Sequence, residues 1–149
     1  MATIQPPGST AESLTTSRSP TTGDGSWSTL LTDEERHVAR QHIGAGVMVI
    51  SFAPELISRV DDDARTLVES AIISIIESNL GWTDRTAALA PGRLGVVIVP
   101  VNGALALAAR ARDMHAALRE RGLLVDVAYA LRLDRGGLAA AAARADAAL

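Results

Sequence analysis

The sequence predicts an α/β sandwich, with a mixed sheet of about four to five strands flanked by helices. Three observations predict it. Two apolar runs, Thr86-Ala87-Ala88-Leu89-Ala90 and Leu94-Gly95-Val96-Val97-Ile98-Val99-Pro100, flank Pro91-Gly92-Arg93, a strong signal for a β-hairpin. A run with apolar residues at three- and four-residue spacing precedes the hairpin, which is helical periodicity. A second helical run, a strand and an Ala-rich helix follow it. The order is helix, strand, helix, strand, strand, helix, strand, helix. A strand-helix-strand unit on each side of a hairpin points to a ferredoxin-like core.

Taken in order, residues 1–29 are crowded with Ser, Thr, Pro and Gly and bury too little apolar area to offset ordering entropy. They read as a disordered tail, from which only Trp27 is suited to dock back. Residues 30–149 form one domain. Thr32-Asp33-Glu34-Glu35 reads as a helix start, with Thr32 as cap and Glu35 completing a capping box. This helix is expected to run to about His42 and to end at Gly44-Ala45-Gly46. Val47-Met48-Val49-Ile50-Ser51-Phe52 is a short apolar run, read as a buried central strand. Pro54 ends it, and residues 55–60 fit one short helical turn. Asp61-Asp62-Asp63 then opens a long helix whose Leu67, Val68, Ala71, Ile72, Ile75, Ile76 and Leu80 share a face, with Gly81 as its stop. After the hairpin, Asn102-Gly103 leads into a helix over residues 104–121, with Leu105, Ala108, Ala109, Ala111, Met114 and Leu118 inward and Gly122 as terminator. Residues 123–133 read as a strand in which Leu124, Val125, Val127 and Tyr129 are prominent. Gly136-Gly137 breaks the chain before a final Ala-rich helix over residues 138–149.

Composition narrows the chemistry. The chain has 149 residues, enough for one domain with a proper core. Apolar residues make up 48% but aromatics only 3%, so the core must be built from Ala, Val, Leu and Ile. The net charge of −3 gives no global attraction to nucleic acid or to anionic membrane. All 14 basic residues are Arg, which excludes a Walker P-loop and any Lys nucleophile or base. The absence of Cys excludes disulfides, thiol catalysis and Cys-based zinc sites. No signal peptide and no apolar run of about 18 residues is visible, so a cytoplasmic protein without a membrane span is expected.

Over roughly residues 31–149 the chain resembles the GGDEF domain, the nucleotide-cyclase fold of bacterial diguanylate cyclases. The hairpin corresponds to the one that carries that family's signature motif, and Arg144-Ala145-Asp146-Ala147-Ala148-Leu149 matches its Arg-Ala-Asp-x-Ala-Leu. Residues 104–118 resemble the helix after the hairpin, and Val125-Asp126-Val127-Ala128-Tyr129-Ala130 replaces a strand ending in Ser-Ile-Gly. Aligned on Pro100, the signature falls on Pro91, Gly92, Arg93, Leu94 and Gly95, so the acids that bind metal and perform catalysis become Arg93 and Leu94. The metal-binding Asp of the first strand falls on Ile50 or Ser51. The residues that help hold guanine fall around residues 55–59 and are not reproduced. The inhibitory Arg-x-x-Asp falls on residues 82–85 and is absent too. The family continues past the position of Leu149 with a Tyr, a basic pair and a short strand, and their absence is expected to weaken a nucleotide site.

The resemblance therefore implies a degenerate GGDEF domain, a signalling scaffold without catalytic residues, metal or cofactor, and so not an enzyme. The expected function is that of a non-catalytic regulatory or protein-interaction module, working as a homodimer or by docking on a signalling partner. The alternative is a sensor that binds a guanine nucleotide or cyclic di-GMP without turnover. Gly92 and Arg93 are the candidate ligand-binding residues. Arg93 reads either as an exposed turn residue or as a fork for a phosphate or carboxylate. Asp61-Asp62-Asp63 reads as a solvated helix start and not as a metal site. His37 and His42 are too poorly spaced to share a helix face, and His115 sits on an Ala-rich helix. Arg110, Arg112, Arg119, Arg121, Arg132 and Arg135 read as solvated faces without interleaved aromatics, which speaks against nucleic-acid binding.

Overall fold

The structure, a computed structural model, describes residues 26–52 and 62–149. Most of the expected tail, the short turn at residues 55–60 and Asp61 lie outside the described residues. The element order is α1 (Ser26–Gln41), β1 (Gly46–Phe52), α2 (Asp62–Ser78), β2 (Arg85–Ala90), β3 (Arg93–Ile98), α3 (Ala104–Glu120), β4 (Val125–Leu131) and α4 (Gly137–Ala147).

The described strands form one sheet of four in the order β2-β3-β1-β4. Every pairing is antiparallel, so the expected mixed sheet is corrected. The reason is interleaving. Helix α2 connects β1 to β2, which run parallel, but β3 lies between them. Helix α3 connects β3 to β4 in the same way, with β1 between. Two helical crossovers thus feed one antiparallel sheet, the ferredoxin-like arrangement.

Strand β1 is buried along nearly its whole length because helices cover both faces of the sheet. Alternation sends Met48, Ile50 and Phe52 to one side. There they join Leu94, Val96 and Ile98 of β3, Ile72 and Ile76 of α2, and Leu107, Ala111, Met114 and Leu118 of α3. Val47 and Val49 point to the other side. They meet Val97 of β3, Leu31 and Val38 of α1, and Leu138, Ala141, Ala142 and Ala145 of α4. The buried Leu138, Ala141, Ala142 and Ala145 of α4 recur at i, i+3, i+4 and i+7, and the three alanines let this helix lie close on the sheet.

Several local expectations change. Helix α1 starts at Ser26 and not at Thr32, so residues 26–29 of the expected tail are helical. Thr32 is already inside the helix, and its hydroxyl donates to the Ser28 carbonyl at 2.9 Å. Trp27 packs against the α1/α4 side of the core, over Gly95, where an added Cβ would lie 2.6 Å from Trp27 Cη2. Leu67 and Leu105, both expected inward, are 72% and 89% exposed. The buried stripe of α3 is Leu107, Ala111, Met114 and Leu118, and Leu105 lies about 200° around the helix from Leu107. Leu124 and Leu133 flank β4 and are exposed.

Candidate functional site

The hairpin tip is placed by the end of β1. Pro91-Gly92 turns the chain, and Gly92 has φ of 78°, which a side chain disfavours. Its carbonyl accepts the Phe52 N–H at 2.8 Å, which ties the turn to the last residue of β1. Gly92, a candidate ligand contact, is therefore buried and committed by its carbonyl to β1.

Arg93 and Leu94 part company at the start of β3. Leu94 pairs with Ile50 and is 2% exposed in the α2/α3 side of the core. Arg93 pairs with Ser51, which pairs in turn with Asp126 of β4. Cross-strand partners share a face, so Arg93, Ser51 and Asp126 form a polar row on the α1/α4 side of the sheet. The Arg93 guanidinium does not stand free. Its Nη1 donates to Asp146 Oδ1 of α4 at 2.7 Å, with both side chains about two-fifths exposed. The fork for a carboxylate thus exists, and the carboxylate is the chain's own.

These residues do not fit a divalent metal at the tip. Magnesium takes carboxylate oxygens in a near-octahedral shell. The end of β1 and the start of β3 offer Ile50, Ser51, Arg93 and Leu94, and Asp146, the carboxylate bonded at the tip, is held by Arg93. Among the described residues, no group of three or more His, Asp or Glu side chains is placed to hold a metal ion.

Two further polar centres lie away from the tip, and both involve arginines expected to be solvated. Asp84, with its side chain 2% exposed, accepts from Gly81 N at 2.7 Å, Val99 N at 3.0 Å and Arg110 Nη2 at 2.5 Å. Glu35 accepts from Arg132 Nε at 2.8 Å, Arg132 Nη2 at 2.6 Å and Leu138 N at 2.8 Å. It thereby caps α4 and does not close a capping box on α1. The Arg132 hydrogen bonds hold the Glu35 carboxyl below its ordinary value against the opposing effect of burial, and Glu35 in turn raises Arg132. Arg85 of β2 binds Glu34 at 2.9 Å, so α1 is fastened to edge strand β2 and, through Arg132, to the chain just past edge strand β4. His115 lies in an open groove between α3 and β4.

The sheet order, the two crossovers and the hairpin set against the end of β1 can be compared with known structures. The GGDEF domain of YfiN from Pseudomonas aeruginosa superposes with a TM-score of 0.70 at 19% identity, covering 84% of this chain and 85% of that one. The fold is that of a GGDEF domain. The GGDEF domain of DgcB from Caulobacter crescentus, solved with cyclic di-GMP, gives a TM-score of 0.70 at 12% identity, covering 82% of this chain and 79% of that one. Diguanylate cyclase SiaD of Pseudomonas aeruginosa, solved with its activator SiaC, gives 0.68 at 14% identity, covering 80% of this chain and half of that one. No family model matches the sequence, and no curated protein matches it. One expectation is overturned by these neighbours. The chain was expected not to be an enzyme, but the GGDEF domains it resembles belong to diguanylate cyclases, which are enzymes.

Sequence reasoning named Gly92 and Arg93 but missed what engages them. Asp146 was visible as part of the Arg-Ala-Asp match, 53 residues from Arg93, with nothing in the local pattern to join the two. No helix among the described residues is long and apolar enough to cross a membrane.

Proposed function

We propose that this chain is a regulatory and protein-interaction module of the GGDEF fold, acting in the cytoplasm by self-association or by docking on a signalling partner. One observation carries the reading: the hairpin tip is closed onto α4 through the Arg93-Asp146 pair. A tip fixed to its own helix is suited to presenting a set shape to a protein. The SiaD structure, solved with a protein activator, is a precedent on the same fold.

A second reading is favoured by the exposure of Arg93, about two-fifths, and by the DgcB structure with cyclic di-GMP. In it the chain binds a guanine nucleotide or cyclic di-GMP, and the ligand phosphate displaces Asp146 from Arg93. Calorimetry of the full chain with GTP and with cyclic di-GMP, each with and without magnesium, separates the two. Saturable binding below about 10 µM, roughly −7 kcal/mol, that Arg93→Ala weakens supports nucleotide binding at the tip. No heat from a folded sample supports the protein-contact reading. GTP consumption is followed in the same samples, and turnover would replace both readings with that of a cyclase.

A further inference from the structure

The free edge of β4 and the groove beside it form a second surface, which meets the polar row of the hairpin tip at Asp126. Among the described residues β4 pairs with β1 alone, so its other edge ends the sheet. The side of each peptide group follows from the register. Arg132 N donates to Ala45 O at 2.9 Å, which makes that pair a hydrogen-bonded one. Alternation then turns the N–H and C=O groups of Ala130, Ala128 and Asp126 toward β1, and those of Leu131, Tyr129, Val127 and Val125 outward. The Leu131 carbonyl accepts from Arg144 Nη2 at 2.7 Å, which closes one end of the edge. The stretch over Val127 and Tyr129 is left open.

A groove of about 620 Å³ runs beside this stretch. Ala108, Ala111, Arg112 and His115 of α3 line one wall, and Ala148 and Leu149, after α4, line it as well. A strand added to a sheet sits about 4.8 Å from its neighbour, and an edge with outward-facing peptide groups is a template for one. The charges beside the edge are mostly positive. Arg112 lines the groove, Arg119 follows two turns on along α3, and Arg144 stands at the closed end, while Asp126 is the one acidic side chain in the lining. Neither Arg112 nor Arg119 has a salt-bridge partner among the described residues.

We propose that this edge binds an extended acidic peptide segment of a protein partner, which adds as a fifth strand beside β4 with its carboxylates toward Arg112, His115 and Arg119. The proposal rests on the protein-interaction reading and gives it a place and a chemistry. A second copy of the chain is the poorer occupant. Pairing β4 with its own copy would bring two α3 helices side by side, cation facing cation.

The test is calorimetry of the full chain with a synthetic peptide of alternating Glu and Val, matched to the seven residues of β4. Alternation places all the Glu side chains on one face of the added strand. Saturable binding is expected. It should weaken about tenfold for the Arg112→Glu/Arg119→Glu double variant, whose substituted side chains are both exposed. It should be lost for the same peptide N-methylated at alternate positions, because the ladder donors are gone. Equal affinity for the N-methylated peptide would show attraction by charge alone and overturn the proposal. No binding, or binding that the double variant leaves unchanged, would overturn it as well. So would sedimentation as a dimer that excludes the peptide, since the second copy would then be the occupant. Silence with the peptide removes this surface only, whereas the interaction reading itself stands or falls on the nucleotide titration and turnover.

Discussion

Removal of the Glu35 carboxylate should loosen the joint between α1, β4 and α4. Glu35 accepts three hydrogen bonds there, two from Arg132 and one from Leu138 N. Loss of the α4 cap should cost about 1 kcal/mol. The Arg132 guanidinium is the more buried partner, with its side chain 12% exposed against 33% for Glu35. A buried pair broken on one side costs roughly 3–5 kcal/mol and an exposed one about 0–1, so a pair one-third open should cost about 1–2. Glu35→Ala is therefore expected to lose about 2–3 kcal/mol, or roughly 5–10 °C in melting temperature for a chain of this size. Glu35→Gln keeps an oxygen for Leu138 N and should lose only the ion-pair share, about 1–2 kcal/mol. Urea denaturation followed by circular dichroism at pH 7 measures both. The carboxyl is held below the ordinary 4.5, first by the Arg132 hydrogen bonds, so the unfolded chain takes up the proton before the folded one. The carboxylate's contribution is complete above about pH 4.5 and is lost as pH falls through the folded value. The stability gap between the native chain and Glu35→Gln should then be flat from neutral pH to about 5.5 and close below about 4.5. A gap under about 0.5 kcal/mol at pH 7, or one unchanged in acid, would refute this account of the joint.

Other substitutions test other parts of the fold. Asp84→Ala should cost about 3–5 kcal/mol in urea denaturation, because it strands two backbone N–H groups and the Arg110 guanidinium around a buried site. Gly137→Ala should cost about 1–3 kcal/mol, since Gly137 has φ of 63° and an added Cβ would lie 2.5 Å from Glu35 Oε1. The steric share of that cost should disappear in a Glu35→Ala background, which a double-mutant cycle reads directly. Leu105→Ser should stay within about 0.5 kcal/mol while Leu107→Ala costs about 3, which tests by thermal melting which leucine of α3 faces the core.

The elements with strong local signals were legible in the sequence. Residues 47–52 read as a central strand because burial on both faces leaves no polar alternation to obscure an apolar run. Pro91-Gly92 marked the hairpin because its turn requires that chemistry. Much of what failed depended on distance along the chain. Arg132 and Arg110 looked solvated because their partners, Glu35 and Asp84, lie 97 and 26 residues away. Glu35 looked like a capping-box residue because Thr32 precedes it by three, yet the helix had already begun at Ser26. Leu105 was placed inward because apolar residues crowd α3, and an Ala-rich helix offers little contrast between its faces. The sheet was read as mixed because crossover helices imply parallel strands, and nothing local says that another strand lies between them. At the tip, the motif alignment located Arg93 but could not show that Asp146 already occupies it.

The place of β1 at the middle of the sheet carries a consequence for how the chain is made. Both of its neighbours come later in synthesis: Gly46 waits for Ile98 on one side and Leu131 on the other. Until then the ribosome has released an uncharged strand, Gly-Val-Met-Val-Ile-Ser-Phe, with no partner for either edge. Such a segment is the kind that pairs wrongly between chains. Folding must wait for long-range pairings, which slows it relative to a helical bundle of equal length. The burial that makes β1 the most protected strand of the finished sheet thus makes it the most vulnerable stretch of the unfinished one.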